Sequence, residues 1–188
     1  MATTVLKDLY EQQVVPALEK ELEIKNIHRV PKLEKIVLNS RIDAEADKAH
    51  VEQLVNEIGL IAGQKPLLIK AKKSISNFKL RQGMPSGVKA TLRGRRMYDF
   101  LYRLIHIVLP VIRDFRGVSK RMDKRGNLNI GIEDHSIFPE IKIESSSRQN
   151  TGLDIAIVTT TDSDREALLL FQKLGMVFRK QYGKKVLH

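Results

Sequence analysis

The sequence predicts an α+β fold: a largely antiparallel sheet with helices packed on one face, a basic open face and a long basic loop. Several segments alternate apolar and polar residues, as strands do when one side of a sheet is buried. Two longer segments repeat apolar residues at helical spacing. The helices are too few and too clustered for regular alternation with strands, so an antiparallel sheet is favoured over a parallel one.

Two helices are predicted around the first strand. Residues 4–22 are helical, and Pro16 is expected to kink or restart this helix because proline lacks an amide hydrogen. Residues 47–62 form the clearest helix, followed by Gly63 at the position where helices favour glycine. Its predicted inward residues are Val51, Leu54, Val55, Ile58, Ile61 and Ala62.

Two further helices are predicted in the second half of the chain. Residues 95–108 form the first, and Pro110 is expected to stop or bend it. Its inward residues are Met97, Phe100, Leu101, Leu104, Ile105 and Val108. A capping box at residues 163–166 opens the last helix, which Gly175 ends. The inner face of that helix is Ala167, Leu168, Phe171 and Leu174.

The strands are assigned from alternation. They are predicted at residues 32–40, 67–70, 88–93, 128–132 and 153–157, with another around 78–80 and extended chain around Pro139. In the first strand, Asn39 lies on the side opposite Ile36 and Leu38. The strand at 88–93 has an apolar face for the core and an opposite face of Lys89, Thr91 and Arg93. An open sheet face with that lining suits phosphate binding.

The positive charge is concentrated in residues 65–96, hereafter the basic segment. The formal net charge is +11, and this segment holds ten Lys or Arg and no Asp or Glu, so subtracting ten leaves +1 for the rest. A merely solvated surface is the competing interpretation. Glycine and proline interrupt the segment, so it cannot form one amphipathic helix on a membrane surface. Nucleic acid is therefore the favoured partner.

The placement of the charge favours structured RNA among nucleic acids. The basic residues fall on predicted strand and loops, whereas reading duplex DNA normally uses a recognition helix. Phe78 is the only aromatic residue of the basic segment, which argues against a single-strand binder built on stacked bases.

Composition excludes several other classes of protein. A length of 188 residues and 42% hydrophobic residues indicate one domain with a real core. With no cysteine, there is no disulfide frame or thiolate site. The N-terminus lacks the pattern of a secretory signal, and the apolar stretch at 104–112 is too short to span a bilayer. A cytoplasmic protein without a membrane partner is expected.

No pattern in the sequence supports catalysis. The five histidines have no metal-ligand spacing, and residues 133–135, Glu-Asp-His, are expected to form a solvated turn. Asp162 and Asp164 are interpreted as favourable charges at a helix N-terminus. There is no phosphate-cradling glycine motif. No catalytic residue, metal, cofactor or small-molecule substrate is therefore assigned.

The order of motifs resembles the bacterial family of large-ribosomal-subunit protein five. The motifs are KIVLN, GQKP, KKSISNFKLRQGMPSG, KATLRGRRMYDFLYRLI, RDFRG, IFPEI and GLDIAIVTTT, with FRK near the end. They cover about residues 1–180 in order, which the resemblance implies to be a single domain that binds 5S ribosomal RNA, and residues 181–188 form a basic tail. The resemblance implies a non-catalytic ribosomal protein that attaches 5S rRNA to the central protuberance of the large subunit, in contact with large-subunit rRNA.

The resemblance also implies which residues bind RNA. Relatives place an asparagine, a glutamine and a threonine against 5S rRNA at the positions of Asn39, Gln64 and Thr91. The full expected 5S rRNA set is Asn39, Gln64, Lys65, Lys70, Lys72, Lys73, Lys89, Thr91, Arg93 and Arg95. The loop at 74–87 resembles the family's contact with peptidyl-site transfer RNA, through Asn77, Lys79, Arg81 and Gln82.

Some segments depart from the family pattern or extend it. Residues 136–151 resemble the part that faces small-subunit protein thirteen across an intersubunit bridge. SRIDAEAD follows Asn39, where the family commonly has a glycine-rich turn, and Arg95 replaces a common acid. The alternatives left open are a free RNA-binding regulator on the same fold and, third, an enzyme acting on RNA.

Overall fold

A computed structural model describes residues 5–24, 26–43, 46–141 and 151–179 of this chain. Its centre is one five-stranded sheet with the strand order β2-β3-β1-β5-β4, and all neighbouring strands are antiparallel. The strands are β1 Leu33–Arg41, β2 Leu67–Lys70, β3 Pro85–Leu92, β4 Leu128–Ile132 and β5 Leu153–Thr159. The predicted α+β fold with an antiparallel sheet is confirmed.

Helical segments lie before, between and after the strands. The α-helices are α1 Val5–Leu9, α2 Val15–Glu21, α3 Lys48–Ala62, α4 Gly94–Arg103, α5 Leu109–Val111 and α6 Asp164–Lys173. Two π-helical turns, Tyr10–Val14 and Leu104–Val108, join α1 to α2 and α4 to α5. Short 3-10 turns are Ile27–Arg29, Ser76–Phe78 and His135–Ile137.

Both π turns are followed by a helical proline. Pro16 and Pro110 are each the second residue after a π turn. A proline ring collides with the carbonyl four residues earlier, here that of Gln12 or His106, and both carbonyls lie inside the wider π turn. The chain therefore stays helical through Pro16 without the predicted restart, and the helix at Pro110 continues only one residue further.

The core lies between one face of the sheet and the helices. β1 and β3 bury alternate side chains on that face, among them Ile36, Leu38, Val88, Ala90 and Leu92. All six predicted inward residues of 95–108 are buried. Of the predicted inward residues of α3, only Val55 is less than fully buried. The face of the sheet away from this core is the open face.

The basic loop differs from its prediction. No strand forms around residues 78–80: the chain makes a 3-10 turn, and only Leu80 pairs, through a single bridge to Ile75. β3 instead begins at Pro85, which pairs with Lys70 of β2. Gly87 pairs with Arg41 of β1, and a Cβ at Gly87 would lie 2.9 Å from the Ser40 carbonyl oxygen, which favours glycine there. Residues 71–84 are thus the loop of a long β2–β3 hairpin, hereafter the tip loop.

The predicted capping box does not form. Ser163 occupies the N-cap position of α6, but its side chain makes no capping hydrogen bond. The Glu166 carboxylate instead accepts from the Thr161 hydroxyl. Asp164 accepts from the Gly126 amide at 2.9 Å, which ties this helix to the loop before β4. On the inner face, Leu170 is fully buried and the predicted Leu168 is half-buried.

The prediction of a solvated turn at residues 133–135 is wrong for the histidine. His135 is 5% exposed, with Nδ1 2.7 Å from the Thr151 carbonyl oxygen and Nε2 2.7 Å from a Glu57 carboxylate oxygen. A 3-10 turn covers His135–Ile137 and Pro139 lies in a turn, so the extended segment predicted around Pro139 does not form. Glu57 lies 78 residues away in α3, so no local pattern could indicate this pair.

Two buried tyrosines, one in the first π turn and one in α4, make the stability of the fold sensitive to alkaline pH. The rings of Tyr10 and Tyr98 lie 6.2 Å apart, and the Tyr10 hydroxyl donates to the Pro31 carbonyl at 3.0 Å. Burial raises the pKa of each tyrosine to about 12. The unfolded chain, with tyrosine pKa values of about 10, therefore loses these protons first as the pH rises.

We expect the free energy of unfolding to be constant with respect to these groups below pH 10 and to fall between about pH 10 and 12. Tyr98→Phe should make that fall shallower by at most about 1.4 kcal/mol per pH unit, because up to one fewer proton is released on unfolding. Denaturant unfolding of both proteins at closely spaced pH values measures the difference. Parallel curves for wild type and variant would contradict the assignment.

Candidate nucleic-acid interface

The open face is organised as rows of side chains that cross the strands. The registers align Leu67, Lys89, Asn39, Asp154 and Gly131 in one row, from β2 through β3, β1 and β5 to β4. The next row is Thr91, Val37, Ala156 and Asn129. Directly opposed side chains on antiparallel strands are about 5 Å apart, so each row is a continuous surface.

The strand residues of the expected RNA-binding set lie together on this face. Asn39 is half-buried between Lys89 and Asp154, and Lys89 is exposed. Thr91 is half-buried one pleat further along β3. Lys35 lies on the same face, where its ammonium group is 3.5 Å from the carboxylate of Glu34. The structure therefore brings an amide, a hydroxyl and two ammonium groups onto one side of the sheet.

Gln64 is held by both ends of its amide group. Its Nε2 donates to the Thr91 carbonyl at 2.9 Å, and its Oε1 accepts from Arg96 Nη1 at 3.2 Å. Gln64 therefore connects the turn after α3 to the end of β3 and to the first turn of α4. Arg96 was not among the expected site residues, because its partner is 32 residues away and no spacing rule joins the two.

The remaining expected cations surround this junction and the start of the tip loop. Seven exposed basic residues have no carboxylate oxygen within 4.0 Å in the described part of the chain: Lys65, Lys70, Lys72, Lys73, Arg81, Lys89 and Arg93. Arg95 is also exposed, and its Nε lies 3.7 Å from an oxygen of Asp99 one helical turn later. The basic segment is thus mostly available to external anions.

The start of α4 adds to the positive potential. Arg93 is its N-cap residue and makes no side-chain capping bond, and Arg95 and Arg96 lie in its first turn. Helix N-termini carry partial positive charge, so the cationic side chains of Arg95 and Arg96 are unfavourable there. A bound external anion offsets both the partial charge of the helix end and the charges of these side chains. The basic first turn is difficult to explain by the stability of the free chain alone.

The tip loop is held by backbone hydrogen bonds at its base, and its side chains are exposed. Backbone bonds close its base between Ala71 and Met84 at 2.8 Å and between Gly83 and Ala71 at 2.9 Å. Its end is a 3-10 turn, in which Phe78 is 65% exposed. The structure gathers the four residues expected to contact transfer RNA on this loop, all exposed: Asn77, Lys79, Arg81 and Gln82.

Charge is distributed unevenly across the open face. Its cations are on β1 and β3, while the open-face positions of β5 and β4 are Asp154, Ala156, Val158, Asn129 and Gly131.

In the described residues, no cluster of three or more metal-ligating side chains occurs. No helix in the described ranges is both long enough and apolar enough to cross a bilayer.

Comparisons with known proteins match nearly the whole chain. A family model of ribosomal protein L5 matches residues 26–81, and a model of the C-terminus of the same ribosomal family matches residues 85–178. Large ribosomal subunit protein uL5 of Thermotoga maritima is 51% identical over 177 residues, 93% of this chain and 96% of the relative. The protein of that name from Nostoc punctiforme is 48% identical over 183 residues, 96% of this chain and all of the relative.

Proposed function

This chain belongs to the ribosomal protein L5 family, and we propose that within the ribosome it binds 5S rRNA through the basic segment and the open face. Family membership makes it a structural, non-enzymatic constituent of the large subunit of the cytoplasmic ribosome, with ribosomal RNA as a partner. It therefore favours a ribosomal constituent over the free regulator and the enzyme that the sequence left open. Attachment of 5S rRNA to the central protuberance is part of the proposal.

The availability of the cations is the observation that carries the proposal. Seven exposed Lys and Arg side chains of one segment lack carboxylate partners among the described residues. Each phosphate that they neutralise releases condensed counter-ions, which makes binding favourable and dependent on salt. A solvated surface of equal charge would interleave acids with the bases, as the other parts of this chain do.

Different residues of the proposed 5S rRNA site have different roles. Lys65, Lys70, Lys72, Lys73, Lys89, Arg93 and Arg95 supply positive potential and phosphate contacts. Asn39 and Thr91 present short neutral groups that can meet ribose hydroxyls without crowding the sheet. Gln64 makes one donor bond and one acceptor bond within the protein, and we assign it the role of holding Arg96 beside the end of β3.

The tip loop is proposed to contact peptidyl-site transfer RNA. It extends beyond the sheet, carries exposed polar and basic side chains, and has a closed, hydrogen-bonded base. A preorganised loop loses little conformational entropy on contact. The segment proposed to face small-subunit protein thirteen spans residues 136–151, and its positions 142–150 lie outside the described residues.

The domain assignment is likewise a proposal. One contiguous core joins residues from α1 to the chain after α6, which fits a single domain over residues 1–180. The basic tail at 181–188 lies outside the described residues. The alternative of a regulator free of the ribosome is tested by sedimentation: the ribosomal assignment requires the protein to travel with large subunits at physiological salt.

Replacing Lys89 by Glu should lower the affinity for 5S rRNA and reduce the slope of log affinity against log salt by about one unit. The reason is the loss of one neutralised phosphate beside β3 on the open face. Filter binding or fluorescence anisotropy at several salt concentrations measures the slope. Lys20→Glu is the matched control, because Lys20 is exposed on α2 in the helical layer. Equal slopes for Lys89→Glu and wild type would remove Lys89 from the interface.

Thr91→Val should weaken binding of 5S rRNA by about 1 kcal/mol, because the shape is kept while a hydrogen-bonding hydroxyl is lost. Thr91→Ser retains the hydroxyl and is the control that should bind nearly as wild type does. Titration calorimetry at one salt concentration is sufficient for this comparison. If both variants bind equally well, the hydroxyl does not contact the RNA.

Gln64→Leu and Arg96→Ala should each weaken 5S rRNA binding, and the double variant should bind no worse than Arg96→Ala. A positioning residue acts only through its partner, so a double-mutant cycle gives a coupling energy of about 1 kcal/mol. Additive losses would instead show that Gln64 contacts RNA on its own. The measurement is the dissociation constant of all four proteins under one set of conditions.

A further inference from the structure

The part of the open face away from the basic segment contains a shallow depression with an acid at its rim. Asn39, Asp154 and Asn129 surround it, and Val37, Ala156 and Gly131 lie along its floor. The side chains along the floor are small and uncharged, so they do not fill the depression. The depression adjoins the cationic part of the face because Asn39 and Lys89 are direct cross-strand neighbours.

Asp154 is available to an external ligand. It is exposed, and no ammonium or guanidinium group lies within 4.0 Å of its carboxylate in the described part of the chain. Lys89 is in the same row, two strands away, which corresponds to a backbone separation of about 10 Å. A Cβ at Gly131 would lie 3.7 Å from Asp154 Oδ1, so glycine leaves the space beside the carboxylate open.

The chemistry of the depression differs from that of the basic segment. A carboxylate only accepts hydrogen bonds and repels phosphate, so an RNA group that sits against Asp154 must be a neutral donor. The minor groove of an A-form helix displays such donors, namely ribose 2′-hydroxyls and the guanine amino group. The amides of Asn39 and Asn129 can donate to the acceptors beside them.

We propose that Asp154, together with Asn39 and Asn129, forms a subsite that binds the minor-groove edge of the RNA and makes Asp154 a specificity-determining residue. This proposal rests on the function proposed above. The basic segment attracts any RNA, whereas the acid admits only an RNA whose curvature brings donors to this point. An RNA that presents a phosphate there is penalised, which is how a repulsive group creates discrimination.

The experiment compares wild type with Asp154→Asn, which keeps the shape and removes the charge. Dissociation constants are measured for 5S rRNA and for an unrelated folded RNA of the same length. We expect the variant to bind 5S rRNA about tenfold more weakly, since it loses hydrogen bonds to a charged acceptor. It should bind the unrelated RNA slightly more tightly, so the specificity ratio falls by more than tenfold.

Asp162→Asn is the matched control, because Asp162 is also exposed but precedes α6 and lies outside the sheet. It should strengthen binding of both RNAs by one small factor and leave their ratio unchanged. If Asp154→Asn behaves in the same way, Asp154 is only a surface charge and the subsite is overturned. If wild type has no preference for 5S rRNA, the function proposed above fails, and the subsite fails with it.

A second variant tests the depression without changing charge. Gly131→Val adds a branched side chain beside Asp154 on the floor and should also lower the affinity for 5S rRNA more than that for the unrelated RNA. Thermal unfolding of both variants checks that the fold persists. The contact itself is tested with 5S rRNA carrying scattered 2′-deoxy nucleotides: at the positions that contact Asp154, the loss of affinity should be smaller in Asp154→Asn than in wild type, because the variant has already lost the charged acceptor. An identical interference pattern in the two proteins would overturn the proposed contact.

Discussion

The structure depends on the two-residue alternation of β1 and β3 against the helical layer. Burying Ile36, Leu38 and Val88 toward the core forces their neighbours onto the opposite face, because successive strand side chains point to opposite sides. Asn39 and Lys89 therefore share the open face without a side-chain hydrogen bond between them. A slip of one residue in either strand would bury a lysine and expose an apolar side chain, so the core specifies the register of the open face.

A second constraint joins the sheet to α4. The Gln64 amide bonds to the end of β3 on one side and to Arg96 on the other, so a residue after α3 determines where a guanidinium in α4 points. A guanidinium held by a neutral acceptor keeps its full charge, whereas a carboxylate partner would cancel it. Gln64 thus links three elements of the fold through two hydrogen bonds.

Two kinds of recognition are expected to share the open face. The cationic side carries Lys35 on β1 and Lys89 on β3 and continues through the β2–β3 hairpin into the tip loop, which suits attraction to phosphates from a distance. The side formed by β5 and β4 is neutral or acidic and has a low floor, which suits short-range contact with donors. Affinity and selectivity can then be separated on one sheet, because phosphate contacts position an RNA while other contacts distinguish it.

The sequence by itself determined the fold class, most helices and strands, and the concentration of charge between residues 65 and 96, because these follow from local periodicity and composition. It also indicated that Asn39 and Thr91 face away from the core.

At residues 163–166 the local sequence signal for a capping box was misleading, because the Glu166 carboxylate that the box needs accepts a hydrogen bond from the Thr161 hydroxyl instead. Only the tertiary structure decided the Gln64–Arg96 bond, the burial of His135 against Glu57, and the position of Asp154 beside Asn39. These pairs join residues from about 30 to more than 100 positions apart, and such contacts depend on strand order and helix packing, which no local pattern encodes.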